Sequence, residues 1–217
     1  HCISSAASDV YKRQPQEVND DDPTGYYAQK RSTLGAALVL TSPGLPMIFQ
    51  GQEFLEGEWF RDTVPLHWDQ GAQFKGIFRM YRDLIGLRRN EEGHTKGLTG
   101  QNVETLHLHP GNHVYVFHRW ADGGPHDDVV VALNLDSKTW GDYTVGMPAA
   151  GRWVTRFNSD AKVYSDAFDG VDVPEWFDAV EDGYDGHPAS ATIVLPPYSA
   201  VIAVSYTHLR AHETSLH

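Results

Sequence analysis

The chain has 217 residues, of which 41% are hydrophobic and 21% charged, a composition typical of a folded globular protein. Its 17 Lys and Arg residues stand against 29 Asp and Glu residues, so the formal net charge is −12 and argues against a nucleic-acid partner. Apolar runs are too short to span a membrane, and the single cysteine, Cys2, excludes an internal disulfide or a Cys-rich zinc site.

The two ends differ in character from the rest of the chain. Residues 1–14 and 205–217 show no amphipathic period and no signal-peptide pattern. Both resemble translated adapter sequence, so we expect them to be non-native tails; genuine disordered tails are the alternative. We accordingly expect residues 15–204 to be one part of a larger gene product.

Residues 15–96 are predicted to form a helix–strand–helix unit. The first helix is predicted over residues 26–41, with Tyr27, Leu34 and Leu38 on its buried side, and Ser42-Pro43-Gly44 ends it. The apolar run at residues 45–49, flanked by Pro and Gly, predicts a short buried strand. A loop of about twenty residues follows, and a second amphipathic helix is predicted over residues 74–89.

The hydrophobic period changes at residues 93–100, where we place a domain boundary. Residues 97–204 contain seven short strand-like runs separated by turn residues, which together predict an antiparallel β-sandwich. The seven runs are residues 105–109, 113–120, 129–135, 143–145, 152–157, 192–195 and 199–204. We expect this all-β part to fold by itself.

Candidate substrate-binding residues follow the predicted strand at 45–49. In parallel α/β architectures, functional side chains lie where strands end, and here Gly51, Gln52 and Glu53 occupy that position. A glycine lets the backbone approach a ligand, and the two polar side chains can bind a polyol. The alternative for Glu53 is an ion pair with a neighbouring Arg or a loop cap.

The loop that follows adds two more candidates, Trp59 and Asp62. An indole face packs well against the C–H groups of a glucose ring, and a carboxylate binds sugar hydroxyls. Packing and turn capping are the alternatives. We predict neither a metal site nor a cofactor, because the histidines of the β region lack a clean ligand spacing.

Several motifs resemble the α-amylase superfamily, glycoside hydrolase family 13. They are SPGLPMIFQGQEF (42–54), DTVPLHW (62–68), FRMYRDLIGLRRN (78–90), VFHRW (116–120), DDVVVALN (127–134) and LPPYSAV (195–201). Within the superfamily, the resemblance is to glucan branching enzymes or α-amylases that carry a C-terminal all-β domain. It implies the last helix and eighth strand of a (β/α)₈ TIM barrel, followed by that domain.

The resemblance also implies a retaining mechanism on α-1,4-glucan, in which an Asp nucleophile and a Glu acid lie about 5 Å apart. Transfer to a glucan 6-hydroxyl would give branching in glycogen or starch metabolism, and transfer to water would give α-amylase-type hydrolysis. The expected carboxylates belong to the fourth, fifth and seventh strands, which precede this chain. We therefore assign no catalytic residue and expect Asp20, Asp21 and Asp22 to form a solvated loop.

The implied partner is an α-glucan such as glycogen, starch or a maltooligosaccharide, with no nucleic-acid or membrane partner. The absence of cysteine between residues 15 and 204 favours a cytoplasmic protein. The alternative function from another class is that of a non-catalytic β domain, which binds polysaccharide or only stabilises a barrel.

Overall fold

A computed structural model describes residues 14–58, 63–124 and 127–206. The helices are α1 (Gln14–Val18), α2 (Tyr26–Thr41), α3 (Gln70–Gln73) and α4 (Lys75–Arg88), with 3₁₀ turns at Gln52–Phe54, Lys96–Thr99 and Pro110–Asn112. The strands are β1 (Asn102–His109), β2 (Val114–Trp120), β3 (Val129–Asn134), β4 (Trp140–Met147), β5 (Gly151–Asn158), β6 (Trp176–Ala179), β7 (Ala189–Leu195) and β8 (Ser199–Ser205).

Within the described residues, the eight strands form two sheets in which every pairing is antiparallel. The larger sheet has the order β1-β2-β3-β8-β5-β6, and the smaller sheet pairs β4 with β7. The predicted antiparallel all-β architecture is therefore confirmed, and each of the seven predicted runs overlaps an observed strand. The prediction missed β6, because a four-residue strand interrupted by Asp178 carries too little alternation to register.

The larger sheet is buried on both faces, which explains why its central strands are almost uniformly apolar. On β8, Ile202 and Val204 face the helices, whereas Val201 and Ala203 face the smaller sheet. Strand β3 alternates in the same way. A strand covered on both sides needs apolar residues at every position rather than at every second one. The protein is thus built in three layers: helices, large sheet, small sheet.

Helix α2 lies between α4 and the large sheet, and most of its circumference is buried. Its exposed side contains Tyr27 and Leu38, 47% and 37% accessible, together with Arg31 and Val39. The predicted placement of Tyr27 and Leu38 on the buried side is therefore wrong, because two neighbours cover the helix instead of one. Among the described helices, none has the length and apolar character needed to cross a membrane.

Residues 45–49 do not form the predicted buried strand. They pair with no strand of the described residues, and most of their side chains face solvent, with Leu45 99% and Met47 68% accessible. A parallel strand persists only where neighbouring strands pair its backbone groups and cover its faces. No described residue of this chain supplies such a neighbour.

The predicted boundary at residues 93–100 is a packed junction rather than an open linker. Leu98 is fully buried, and Gly97 lies so close to the carbonyl groups of Arg119 and Asp127 that any side chain would clash. One face of the large sheet lies under α2 and α4 in a single shared core. This arrangement argues against independent folding of residues 97–204, since their separation would expose that face.

Replacing Gly76 by alanine should destabilise the packing of α4. A Cβ at this position would overlap the backbone carbonyl of Tyr164, which cannot move without displacing its whole segment. We expect the free energy of unfolding to fall by about 1–3 kcal/mol, net of the roughly 1 kcal/mol that alanine gains in helix propensity. Urea denaturation measures the change.

Gly86 on the same helix provides the matched control. A Cβ there would meet only the flexible Glu91 carboxylate, at 3.3 Å, so Gly86→Ala should be neutral or stabilising. Equal urea midpoints for the two variants would show that the packing of α4 on the Tyr164 backbone does not require glycine at position 76.

Candidate functional site

The candidate site begins where α2 ends, and two arginines hold that point. Arg88 of α4 donates to the carbonyls of Leu40, Ser42 and Gly44. Arg119 of β2, which is fully buried, donates to the carbonyl of Thr41. The last carbonyls of a helix have no partner within the helix, and the helix dipole favours a cation there. The α4 helix and the β domain thus fix the point from which residues 45–49 depart.

A tight turn at residues 51–56 follows the extended segment. Gly51 has φ +90°, and its carbonyl accepts from Phe54 N at 3.1 Å and Glu56 N at 2.8 Å. Phe54 and Leu55 are each only 2% accessible and anchor the turn in the core. The glycine is needed here because its backbone is left-handed and a Cβ would collide with the Glu56 side chain.

Gln52 and Glu53 both lie in this turn, half-buried, and each helps to hold it. Gln52 Oε1 accepts from Phe49 N at 2.8 Å, and Glu53 Oε2 accepts from Gly51 N at 3.0 Å. Glu53 also lies near Tyr81, whose pKa is raised by burial and by the Glu53 charge. The local role suggested as the alternative for Glu53 is therefore present. A substrate role for either residue stays a prediction.

A carboxylate missed by the sequence analysis, Glu56, is the most buried acid of the turn, with 6% accessibility. It accepts from Glu58 N at 3.0 Å and His67 N at 2.9 Å, and its Oε1 lies 3.1 Å from His67 Nδ1. Burial alone would raise the pKa of Glu56, but these hydrogen bonds outweigh it and lower the pKa. The same pairing raises the pKa of His67. The two residues are eleven positions apart, a spacing that no local motif predicts.

The other two predicted substrate-binding residues, Trp59 and Asp62, lie outside the described residues. Their place relative to the turn at residues 51–56 remains a prediction. Beyond them, Trp68 is 68% accessible and its ring packs against Phe54, with centroids 5.5 Å apart. An exposed indole therefore lies beside the turn.

An apolar cavity of about 180 Å³ opens beside the turn. Its walls come from α2, from the extended segment and from the turn itself; among its lining residues are Leu38, Val39, Met47, Ile48 and Gln52. Met47 and Ile48, which are exposed, supply the part of the wall that comes from the segment at residues 45–49. The candidate substrate residue Gln52 thus lies beside exposed apolar side chains.

The histidines of the β domain are held by hydrogen bonds. His107 pairs with Asp185 and, at 3.0 Å, with the Tyr143 hydroxyl, while His118 pairs with Asp128 at 2.8 Å. Within the described part of the chain, no three His, Cys, Asp or Glu side chains are grouped to hold a metal ion.

The fold defines the class of protein: an antiparallel β domain that packs on two helices, α2 and α4. An exposed apolar stretch follows α2. Residues 106–205 match the family model described as the alpha amylase C-terminal all-beta domain. The chain therefore carries a C-terminal domain of the α-amylase family, glycoside hydrolase family 13.

Relatives with named activities align over most of this chain. The 1,4-alpha-glucan branching enzymes GlgB of Mycolicibacterium paratuberculosis and Mycobacterium tuberculosis are each 30% identical to it over 164 residues, which is 73% of this chain. The chain spans only 22% of the length of these curated relatives. It thus corresponds to a limited part of the proteins it matches.

Solved structures share the fold at lower identity. Pullulanase from Bacillus acidopullulyticus superposes with a TM-score of 0.57 at 20% identity, covering 90% of this chain and 23% of its own. Pullulanase from Anoxybacillus sp. LM18-11, in complex with maltotetraose, gives 0.56 at 19% identity, covering 88% and 25%. These likenesses support the fold.

Proposed function

We propose that this chain is the C-terminal part of an α-glucan-active enzyme, and that the whole enzyme makes α-1,6 branches by transglycosylation. The observation that carries the proposal is the 30% identity to 1,4-alpha-glucan branching enzymes over 164 residues. Hydrolysis of the α-amylase type is the alternative within the family. No residue of these 217 is assigned a catalytic role.

The exposed stretch at residues 45–49 supports the proposal that the rest of a barrel packs against it. Its side chains lie beside Leu38 and Val39 of α2, so one continuous apolar surface is left open. Such a surface on an acidic protein marks a place where further protein packs. We propose that residues 15–96 complete a (β/α)₈ barrel as its last strand and flanking helices, and that residues 97–204 are the appended β domain.

In this arrangement the turn at residues 51–56 lies at the carboxyl end of the eighth strand, where barrel enzymes bind substrate. Gln52 and Glu53 are proposed to contact glucan together with Trp59 and Asp62. The hydrogen bonds from the backbone of Phe49 and Gly51 fix the orientation of the first two side chains before substrate arrives. Preorganised polar groups of this kind bind with little loss of side-chain entropy.

A non-catalytic role for the β domain is the second candidate, and one observation favours it. Trp176 of β6 is 48% accessible, and the Arg152 guanidinium lies 3.8 Å from its ring centroid. An exposed, braced indole can stack on a sugar. By contrast, Trp153 is buried in the sandwich core and can only pack.

The experiment that tests the proposal uses the enzyme encoded by this chain together with its upstream reading frame. Amylose is incubated with the enzyme, and three quantities are followed: α-1,6 linkages, new reducing ends, and chain lengths after enzymatic debranching. Branching enzyme activity should raise α-1,6 linkages while reducing ends stay nearly constant. A rise in reducing ends without branches would instead establish hydrolysis.

Variants of the turn separate a substrate role from a structural one. Glu53→Gln keeps an acceptor for the Gly51 N–H, so the fold should survive while glucan affinity falls. A raised KM with unchanged unfolding midpoint would support substrate contact.

The second candidate, a binding module, predicts a different result. Neither branching nor hydrolysis would appear, but tryptophan fluorescence would report saturable glucan binding, and Trp176→Ala would abolish it.

A further inference from the structure

A groove lined by five cations lies between α4 and the chain that follows β5. Two adjoining cavities of about 390 Å³ and 450 Å³ form it, and both include Arg79 and Tyr164 in their walls. The five cations are Lys75, Arg79, Arg82, Arg156 and Lys162. The same walls also carry four carboxylates, those of Asp83, Glu91, Glu92 and Asp166.

The helix geometry places three of these cations in one row. Lys75, Arg79 and Arg82 follow the i, i+4, i+7 spacing and therefore share one side of α4. Seven residues of helix rise about 10 Å, so the row is as long as a small organic molecule. Arg156, near the end of β5, contributes to the wall of the same cavity as Arg82.

Two of the carboxylates that line the cavity of about 390 Å³, Asp83 and Glu91, already have partners. Asp83 accepts from the Tyr164 hydroxyl at 2.9 Å and lies 3.6 Å from Arg79, while Glu91 pairs with Arg89 at 3.2 Å. Arg82 and Arg156, in contrast, form no ion pair with any carboxylate of the described residues. Two guanidinium groups are thus available to an anion from outside.

The remaining walls narrow the choice of anion. Guanidinium pairs bind phosphate through paired N–H donors, and the dianion matches two cations. Leu87 and Phe157 give the cavity an apolar part, and Glu92 and His94 offer hydrogen-bonding groups for hydroxyls. The cavity volumes suit a small molecule.

We propose that this groove binds a small organic phosphate bearing hydroxyl groups, such as a sugar phosphate, with its phosphate on Arg82 and Arg156. The proposal goes beyond glucan chemistry and does not depend on it. It adds a site on the junction between α4 and the β domain, separate from the turn at residues 51–56.

The test is isothermal titration of the 217-residue protein with glucose 1-phosphate. Saturable binding is expected, and a variant with both Arg82→Gln and Arg156→Gln should raise the Kd at least about tenfold. Both side chains are exposed, so thermal melting should show an intact fold. Arg31→Gln is the matched control: Arg31 is exposed on α2 and lies outside the groove, so its replacement should leave the Kd unchanged.

Three further probes sharpen the result: glucose, maltotriose and inorganic phosphate. The phosphate-bearing sugar should bind more tightly than any of them, and added NaCl should weaken it. An absence of saturable heat would overturn the proposal. So would equal binding of glucose, or an unchanged Kd in the folded double variant. None of these outcomes bears on branching activity, which is measured with neutral glucan.

Discussion

Replacement of Arg119 by leucine is expected to lower the free energy of unfolding by about 2–4 kcal/mol. The guanidinium is fully buried and donates to four backbone carbonyls, those of Thr41, Leu98, Gly100 and Asn102. Desolvation and the nearby charge of Arg88 lower its pKa to about 10, so it remains protonated at neutral pH. Leucine would leave all four carbonyls buried and without this donor.

Urea denaturation followed by tryptophan fluorescence measures the loss, and Arg152→Leu serves as the control. Arg152 is half-exposed and pairs with Asp178 at the surface, so its removal should cost less than about 1 kcal/mol. Hydrogen exchange should also accelerate at the end of α2, because Arg119 joins that end to β2. A variant at Arg119 with the wild-type midpoint would show that these hydrogen bonds do not hold the two parts together.

The buried pair of Lys30 and Asp160 should show strong coupling. Lys30 Nζ lies 2.5 Å from Asp160 Oδ1, and the two side chains are 1% and 0% accessible. Asp160 also accepts from the backbone of Asp169 and Val171, at 3.1 Å and 2.8 Å. We expect Asp160→Asn to cost about 3–5 kcal/mol, since it leaves the ammonium group buried without a counter-charge.

The double variant Lys30→Met with Asp160→Asn is the decisive comparison. It removes both charges, so it should be more stable than the Asp160→Asn single variant. Additive losses in urea denaturation at neutral pH would contradict a coupled pair.

The pH dependence of the Asp160→Asn variant gives an independent check. Burial already lowers the pKa of Lys30, and Asp160 opposes that shift, so its removal should lower the pKa further. Between the folded value and the unfolded value of about 10.4, the unfolded chain binds more protons, and stability rises with pH. The difference in the free energy of unfolding between wild type and the variant should therefore shrink as pH increases towards 10. A deficit independent of pH would exclude an unpaired buried ammonium.

The candidate site was only partly predictable from sequence. The turn residues Gln52 and Glu53 could be chosen because a Gly-Gln-Glu run after an apolar stretch is a local pattern. The Glu56–His67 pair could not, because a chain reversal brings together residues that share no spacing rule. Likewise Arg119 sits in a strand pattern that gives no sign of its backbone partners on α2 and at residues 98–102.

The sequence by itself determined the elements that depend on local periodicity. The two long helices and seven of the eight strands follow from the spacing of apolar residues, which reflects burial of one face or both. It also identified the family, through motifs that lie between residues 42 and 201. What it could not decide was how residues 45–49 behave, since an apolar run becomes a strand only if neighbouring strands are present to pair with it.

Tertiary structure decided which layers cover which faces. The exposure of Leu38, the packing of α2 and α4 on the large sheet, and the groove between α4 and β5 all depend on long-range contacts. So does the burial of Lys30, which in sequence reads as one more polar residue on a helix. Its charge is tolerated because Asp160, 130 residues away, is brought within a hydrogen bond of it. Local sequence sets the preference for helix or strand, whereas the free energy of such contacts exists only once the layers have assembled.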